Sequence, residues 1–208
     1  MKNPNLSDQN TPRIVLSDPA YLYKGAHGCY SVSLESELLN DHAILIEGEI
    51  CQKTAMEIFL KFRYLAKSDA PINIYICSGG GEVTAGKAIY DFMQGIPNVI
   101  NTFCIGRAAS LAAILLAAGT KGHRFILPHS EVMIHEVLIS GGIGGSATSI
   151  SRISSSINET RDLMNGILAR HTGKTMQEIS EATSFDNYMD AQQAVDFGIC
   201  DEIIDNVF

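Results

Sequence analysis

Three times in succession, a short run of branched apolar residues gives way to a stretch whose apolar residues recur every three or four positions. The segment "HAILIEGEI" (42–50) precedes "TAMEIFLKFRYLAKS" (54–68), "INIYICS" (72–78) precedes "VTAGKAIYDFMQGI" (83–96), and "VINTFCI" (99–105) precedes "LAAILLAA" (111–118). Each apolar run reads as a buried strand and each periodic stretch as a helix with one buried face. Strand–helix alternation of this kind needs crossover connections, so the pattern predicts stacked α/β units on a largely parallel sheet. "HRFILP" (123–128) and "EVMIH" (131–135) read as two further short strands.

Beyond His135 the texture changes. "ISGGIGGSA" (139–147) is a glycine-rich loop that opens into one long helical candidate, Ala147 to His171. Its apolar residues Ile150, Ile153, Ile157, Met164, Ile167 and Leu168 partly keep helical spacing, and Ser, Asn, Arg and Asp fill the other face. Such a helix would be about 37 Å long, as long as a domain of this size is wide. A protruding handle of that kind is expected to pack against a second subunit. "RHTGK" supplies a basic last turn and Gly173 as the C-terminal cap. No internal repeat or low-complexity linker interrupts the chain, which predicts an N-terminal mobile arm over 1–20 and a single domain over 21–208.

Composition narrows the function classes. With 46% hydrophobic and 18% charged residues, the 208-residue chain is globular rather than disordered. A formal charge of −8 argues against a nucleic-acid backbone as partner. No apolar run is long enough to span a bilayer and the N-terminus has no apolar signal core, so the expectation is a soluble cytoplasmic protein without a membrane partner. The five cysteines lack CxxC spacing, and three lie in apolar strand-like runs. They read as buried reduced thiols, not a disulfide frame or zinc site, and no metal or other cofactor is expected.

Chemistry concentrates at strand ends. In "FCIGRAASLAAILLAAG" (103–119), Ser110 stands where a strand turns into a helix. There it either caps the helix or is presented as a nucleophile, although the GxSxG form of the hydrolase elbow is absent. In "CSGGGEVTAG" (77–86), the glycine run fits neither dinucleotide nor P-loop spacing. It makes a tight turn, or it lets backbone N–H groups approach a developing oxyanion. Of the six histidines, His27 and His42 lie in early segments, His123 and His129 flank a short strand, and His171 ends a helix. His135 ends "EVMI" beside the glycine-rich loop, where ligand sites form, though a histidine taken singly is more often structural. The late acids Asp186, Asp190, Asp196, Asp201 and Asp205 cannot be ranked, because triad members meet in space rather than in sequence.

A family resemblance ranks them. The segments "SGGGEVTAGKAIYDFMQ", "GRAASLAAILLAAGTKGHRFILPHSEVMIHE", "LARHTGKTMQEI" and "AQQAVDFGICDEII" stand in the order and, apart from about two extra residues in the loop after His135, the spacing of the Clp protease proteolytic subunits. From about Ser36 to Asp205 the chain closely resembles that family of serine peptidases. The resemblance implies the ClpP/crotonase-like fold of stacked ββα units with a protruding handle helix. It implies Ser110 as nucleophile, His135 as general base, Asp186 as the orienting acid, and the backbone N–H groups of Gly81 and Leu111 as the oxyanion hole. It places Gly80, Glu82 and Val83, with Glu136 and Val137, along the path of the substrate. It also implies unfolded polypeptides as substrates, a homo-oligomer of heptameric rings, possibly two stacked, and an AAA+ unfoldase or a paralogous subunit as partner.

Several positions depart from the family pattern. Gly79 stands where proline is usual, Glu82 where the residue is small or apolar, and Glu136-Val137 where Gln-Pro is usual. Phe185 replaces an arginine that ties two rings together, Gly95 replaces an aromatic near the unfoldase-docking pockets, and the family's apolar axial hairpin is not recognisable in "RIVLSDPAYLYKGAHGCYSV" (13–32). These departures motivate a second reading, a weakly active or regulatory ring subunit that pairs with an active paralogue. A third, an acyl-CoA enzyme of the crotonase type, would share the fold and the backbone oxyanion donors. The Ser/His/Asp set and the lack of an evident CoA-phosphate patch argue against it.

Overall fold

In the computed structural model, which describes residues 20–25, 28–139, 141–142 and 144–207, all three expected strand–helix pairs form. After a hairpin of β1 (Ala20–Gly25) and β2 (Gly28–Ser33) come α1 (Leu34–Asn40), β3 (Ala43–Ile50), α2 (Gln52–Leu65), β4 (Ile72–Gly81), α3 (Val83–Gly95), β5 (Ile100–Ala109) and α4 (Leu111–Ala117). The chain continues through β6 (Arg124–Ile126), β7 (Glu131–Ile134), α5 (Ala147–Thr172), α6 (Met176–Thr183), β8 (Asn187–Met189), α7 (Ala191–Phe197) and β9 (Glu202–Ile203). Residues 1–19 of the expected arm, and His27, lie outside the described residues; Ala20 already belongs to β1. The antiparallel β1–β2 pair stands where no element was expected.

The strands from β3 onward make one largely parallel sheet in the order β3-β4-β5-β6-β9, with β7 paired to β5 and β8 antiparallel to β7. The core lies between this sheet and helices α2 to α4. Ile72, Ile74 and Ile76 of β4 are buried there, as are Ile44, Ile46 and Ile50 of β3. All seven residues of α4 are buried, as an Ala/Leu helix without a polar face requires. The opposite face of the sheet is only half covered: Tyr75, Phe103 and Phe125 form an aromatic row across β4, β5 and β6, with centroids 5.0 and 5.1 Å apart. The strands are therefore less completely buried than their apolar runs suggested.

The long strands bend at one level. The register of β3 with β4 shifts after Gly48, and that of β4 with β5 shifts after Ile76. Gly106 of β5 adopts φ 86°, and beyond it the partner of β5 changes from β6 to β7. Two buried serines satisfy the polar groups that these bends expose. Ser78 donates to the Gly48 carbonyl at 2.5 Å and accepts from the Gly80 N–H. Ser130 accepts from the Gly106 N–H at 2.7 Å and donates to the Cys104 carbonyl. The bends give the C-terminal ends of β4 and β5 their own direction, toward β7 and β8.

Helix α5 has the expected position, with Ser146 as N-cap and Gly173 in the left-handed conformation as C-cap. Its 26 residues extend about 39 Å. Its buried residues, Met164, Asn165, Ile167 and Leu168, all lie in the C-terminal half, so the N-terminal turns project from the domain. Two cysteines are buried as expected: burial pushes the Cys104 thiol up to about 12 and raises that of Cys200 as well. Cys77 departs from the expectation and is exposed, because it lies on the half-covered face of β4; Cys51, Cys77, Cys104 and Cys200 are all free thiols. Among the described residues, no helix is long and apolar enough to cross a membrane.

Candidate active site

Three adjoining strands end at one place. In the parallel pair, Ala109 of β5 lies opposite Met133 of β7, and in the antiparallel pair Ile134 of β7 lies opposite Asn187 of β8. Carried one step further, the second register sets His135 opposite Asp186 and the first sets Ser110 opposite Ile134, next to His135; Ser110, His135 and Asp186 are each the residue just outside its strand. A hydrogen bond of 2.7 Å from the Ser110 N–H to the Met133 carbonyl fastens the first junction.

Ser110 makes a sharp corner, with φ 55° and ψ −122°. A positive φ in a residue with a Cβ costs about 1–3 kcal/mol and persists only where the surroundings enforce it. Here Ala109 and Leu111, both buried, hold the two sides of the corner. The hydroxyl makes no capping bond to α4, although Ser110 occupies the N-cap position. The capping role that remained open in the sequence is therefore not taken, and the hydroxyl is left free for another partner.

The glycine run is not a turn between elements but the end of β4 itself, paired to β3 through Glu49–Gly80 and Ile50–Gly81. Gly80 has φ 93°, and a Cβ there would lie 2.8 Å from the Ser110 Cβ and 3.1 Å from the Leu111 nitrogen. Only glycine lets β4 come this close to the corner. The Glu82 N–H donates to the Ile50 carbonyl at 2.8 Å, which directs the N–H of Gly81, one residue earlier, to the opposite edge of β4. The Leu111 N–H, first in α4, is among the helix donors without an intrahelical acceptor. The end of β4 and the start of α4 thus meet at Ser110. Glu82 is exposed, so solvent screens its charge.

The His135 Nδ1 lies 3.7 Å from the Asp186 Oδ1, with the imidazole 14% and the carboxylate 57% exposed. The separation is about half an ångström beyond hydrogen-bond range, and Nδ1 is buried without another partner. Three of the four competing acids are committed elsewhere. Asp190 caps α7, Asp196 accepts from Gln192, and Asp201 pairs with Arg124. His171 is likewise bound to the Tyr90 hydroxyl at 3.1 Å, far along the chain from this corner.

Two cavities adjoin the site. Val83 and Val137 line a groove of about 320 Å³ together with Thr84, Lys87, Ile153, Ser156, Ile157 and Thr160. Glu136 lines a different cavity of about 460 Å³ on the Asp186 side, with His135, Leu138, Thr183, Ser184 and Phe185. The wall from α5 and the presence of Lys87 were not read from the sequence. The i, i+4 spacing of Val83 and Lys87 on α3 was the available signal for the latter. Among the described residues, no cluster of three His, Cys, Asp or Glu side chains could hold a metal ion. Compared with known protein families, the chain matches the Clp protease family over residues 26–207.

Proposed function

The chain belongs to the Clp protease family, a family of peptidases, and from that premise we propose that it is a serine endopeptidase using Ser110, His135 and Asp186. The observation that carries this reading is the alignment of the ends of β5, β7 and β8, with a strained, uncapped serine at the first of them. Unfolded polypeptides are the proposed substrates, delivered by an ATP-driven unfoldase into an assembly of heptameric rings.

The chemistry follows from the placement. Ser110 Oγ attacks a peptide carbonyl as the His135 imidazole accepts its proton, and Asp186 stabilises the resulting imidazolium. The negative charge on the carbonyl oxygen is met by the N–H groups of Gly81 and Leu111, each donor contributing about 3–4 kcal/mol to the transition state. Collapse breaks the C–N bond, with His135 passing its proton to the leaving amine. Water, deprotonated by the same imidazole, then releases the acyl group and regenerates Ser110. An extended substrate continues along β4 past Gly80 and Glu82 and along Glu136 and Val137, with a side chain entering the groove lined by Val83.

The gap between His135 and Asp186 favours a second reading, a weakly active or regulatory subunit whose triad closes only beside a paralogue. Labelling with a fluorophosphonate and cleavage of a fluorogenic peptide, read beside native mass, separate the two. Labelled Ser110 and turnover at heptameric or tetradecameric mass are expected. Ser110→Ala should lower turnover by about 10⁶-fold; substantial residual cleavage by that variant would overturn the nucleophile assignment. A silent protein that gains activity only with a paralogue would favour the second reading.

A further inference from the structure

The groove between Val83 and Val137 combines apolar walls with a single charge. Val83, Val137, Ile153 and Ile157 supply four branched apolar walls, and Lys87 supplies the one charge among the lining residues. No carboxylate among the described residues lies within ion-pairing distance of the Lys87 ammonium; the nearest acidic neighbours in sequence, Glu82 and Asp91, are both exposed. The Thr160 hydroxyl is committed to the Ser156 carbonyl of its own helix at 2.9 Å. The lysine is therefore a cation without an ion-pair partner among the described residues, partly buried in a groove otherwise lined by branched apolar side chains and the hydroxyl residues Thr84, Ser156 and Thr160.

The groove's place fixes what enters it. One wall begins two residues beyond Gly81, the other two residues beyond His135. A carbonyl held between Ser110 Oγ and the Gly81 and Leu111 N–H groups has its own Cα within one bond. The cavity on the Asp186 side is lined by no residue of β4 or α3. The groove on the Val83 side, whose walls follow Gly81 and His135 in the chain, is thus the candidate for the side chain of the residue whose carbonyl is attacked.

We propose that Lys87 makes this groove selective for an acidic side chain, so that the enzyme cleaves preferentially after glutamate in unfolded polypeptides. The proposal rests on Ser110 being the nucleophile. The glutamate methylenes lie against Val83, Val137 and the α5 isoleucines, and the carboxylate meets the Lys87 ammonium in a setting partly shielded from water. Glutamine has the same shape without the charge, and so isolates the contribution of Lys87.

Four fluorogenic peptides that differ only in having Glu, Gln, Leu or Lys at the attacked residue provide the test. The wild type is expected to show kcat/KM about fivefold higher for Glu than for Gln, a ratio that shrinks as salt is raised. Lys87→Met should bring the Glu/Gln ratio to one and raise the rank of Leu, and Lys87→Glu should move the preference to Lys. A Glu/Gln ratio of one or less in the wild type overturns the proposal, as does a ratio unchanged by Lys87→Met. The same peptides, titrated by fluorescence anisotropy onto Ser110→Ala with and without Lys87→Met, report binding without turnover. Equal affinities for Glu and Gln overturn the proposal whatever the wild type cleaves. A Lys87-dependent preference for Glu in binding, with no turnover by the wild type, supports the groove assignment and counts against a self-sufficient serine peptidase instead.

Discussion

Gly80 is the point where β4 approaches the nucleophile corner: its missing side chain is what lets β4 lie against Ser110. Gly80→Ala would bring a methyl group to 2.8 Å from the Ser110 Cβ at a backbone φ of 93°, so either the corner or the strand must shift. Shifts approaching an ångström at a reacting centre cost about 10²-fold in rate. Gly80→Ala is expected to lose that much in kcat while keeping the far-ultraviolet circular dichroism of the fold; near-normal kcat would show that β4 does not position the oxyanion donors. In the sequence, Ser110 and His135 were legible because each ends an apolar run. Asp186 was not, because only the β7–β8 pairing brings it to His135, and "NYM" carries no strand signal of its own. The resemblance to a family singled it out. Lys87 escaped notice because its groove needs α5, which is distant in sequence.

At the scale of elements, long periodic segments and short apolar runs such as those of β6 and β7 were legible, and short segments without either signal were not. Helix α5 began at the expected residue, while α1, β8 and β9, of seven, three and two residues, are too short to establish a period. Helices α6 and α7 had readable starts in "TMQE" and "DAQQ", both of which form reciprocal capping boxes. The elements meet at Arg124, whose side chain is 4% exposed. Its guanidinium donates to the carbonyls of Ala117, His171 and Gly198 and to the Asp201 carboxylate, joining the ends of α4, α5 and α7 to β6. Burial works to raise the Asp201 carboxyl, but the Arg124 hydrogen bond and charge prevail and hold it below its ordinary value. Asp201→Asn would leave the buried guanidinium without its counter-charge, at a cost of about 3–5 kcal/mol. A fall of several degrees in Tm is expected by calorimetry, and an unchanged Tm would mean that water reaches Arg124.

The same junction makes the stability of the whole molecule depend on pH, through His171 rather than through the active site. Burial first, then the charges of Arg124 and Arg170, lower His171 from 6.5 to about 4, and the neutral ring packs edge-on to Tyr90 with centroids 5.7 Å apart. In the unfolded chain the imidazole takes up a proton below its ordinary value, whereas in the folded chain it stays neutral. Between the two values the unfolded state binds more protons, so stability is complete above about pH 6.5 and falls as pH drops toward about 4. Partial solvent access to the ring weakens the effect, leaving about 1–2 kcal/mol lost between pH 7 and pH 5. His171→Phe keeps a ring against Tyr90 but removes the proton site. It is expected to flatten the dependence of the urea midpoint on pH over this window, even if the lost hydrogen bond lowers stability at every pH. A slope as steep as that of the wild type would assign the acid sensitivity to a different group.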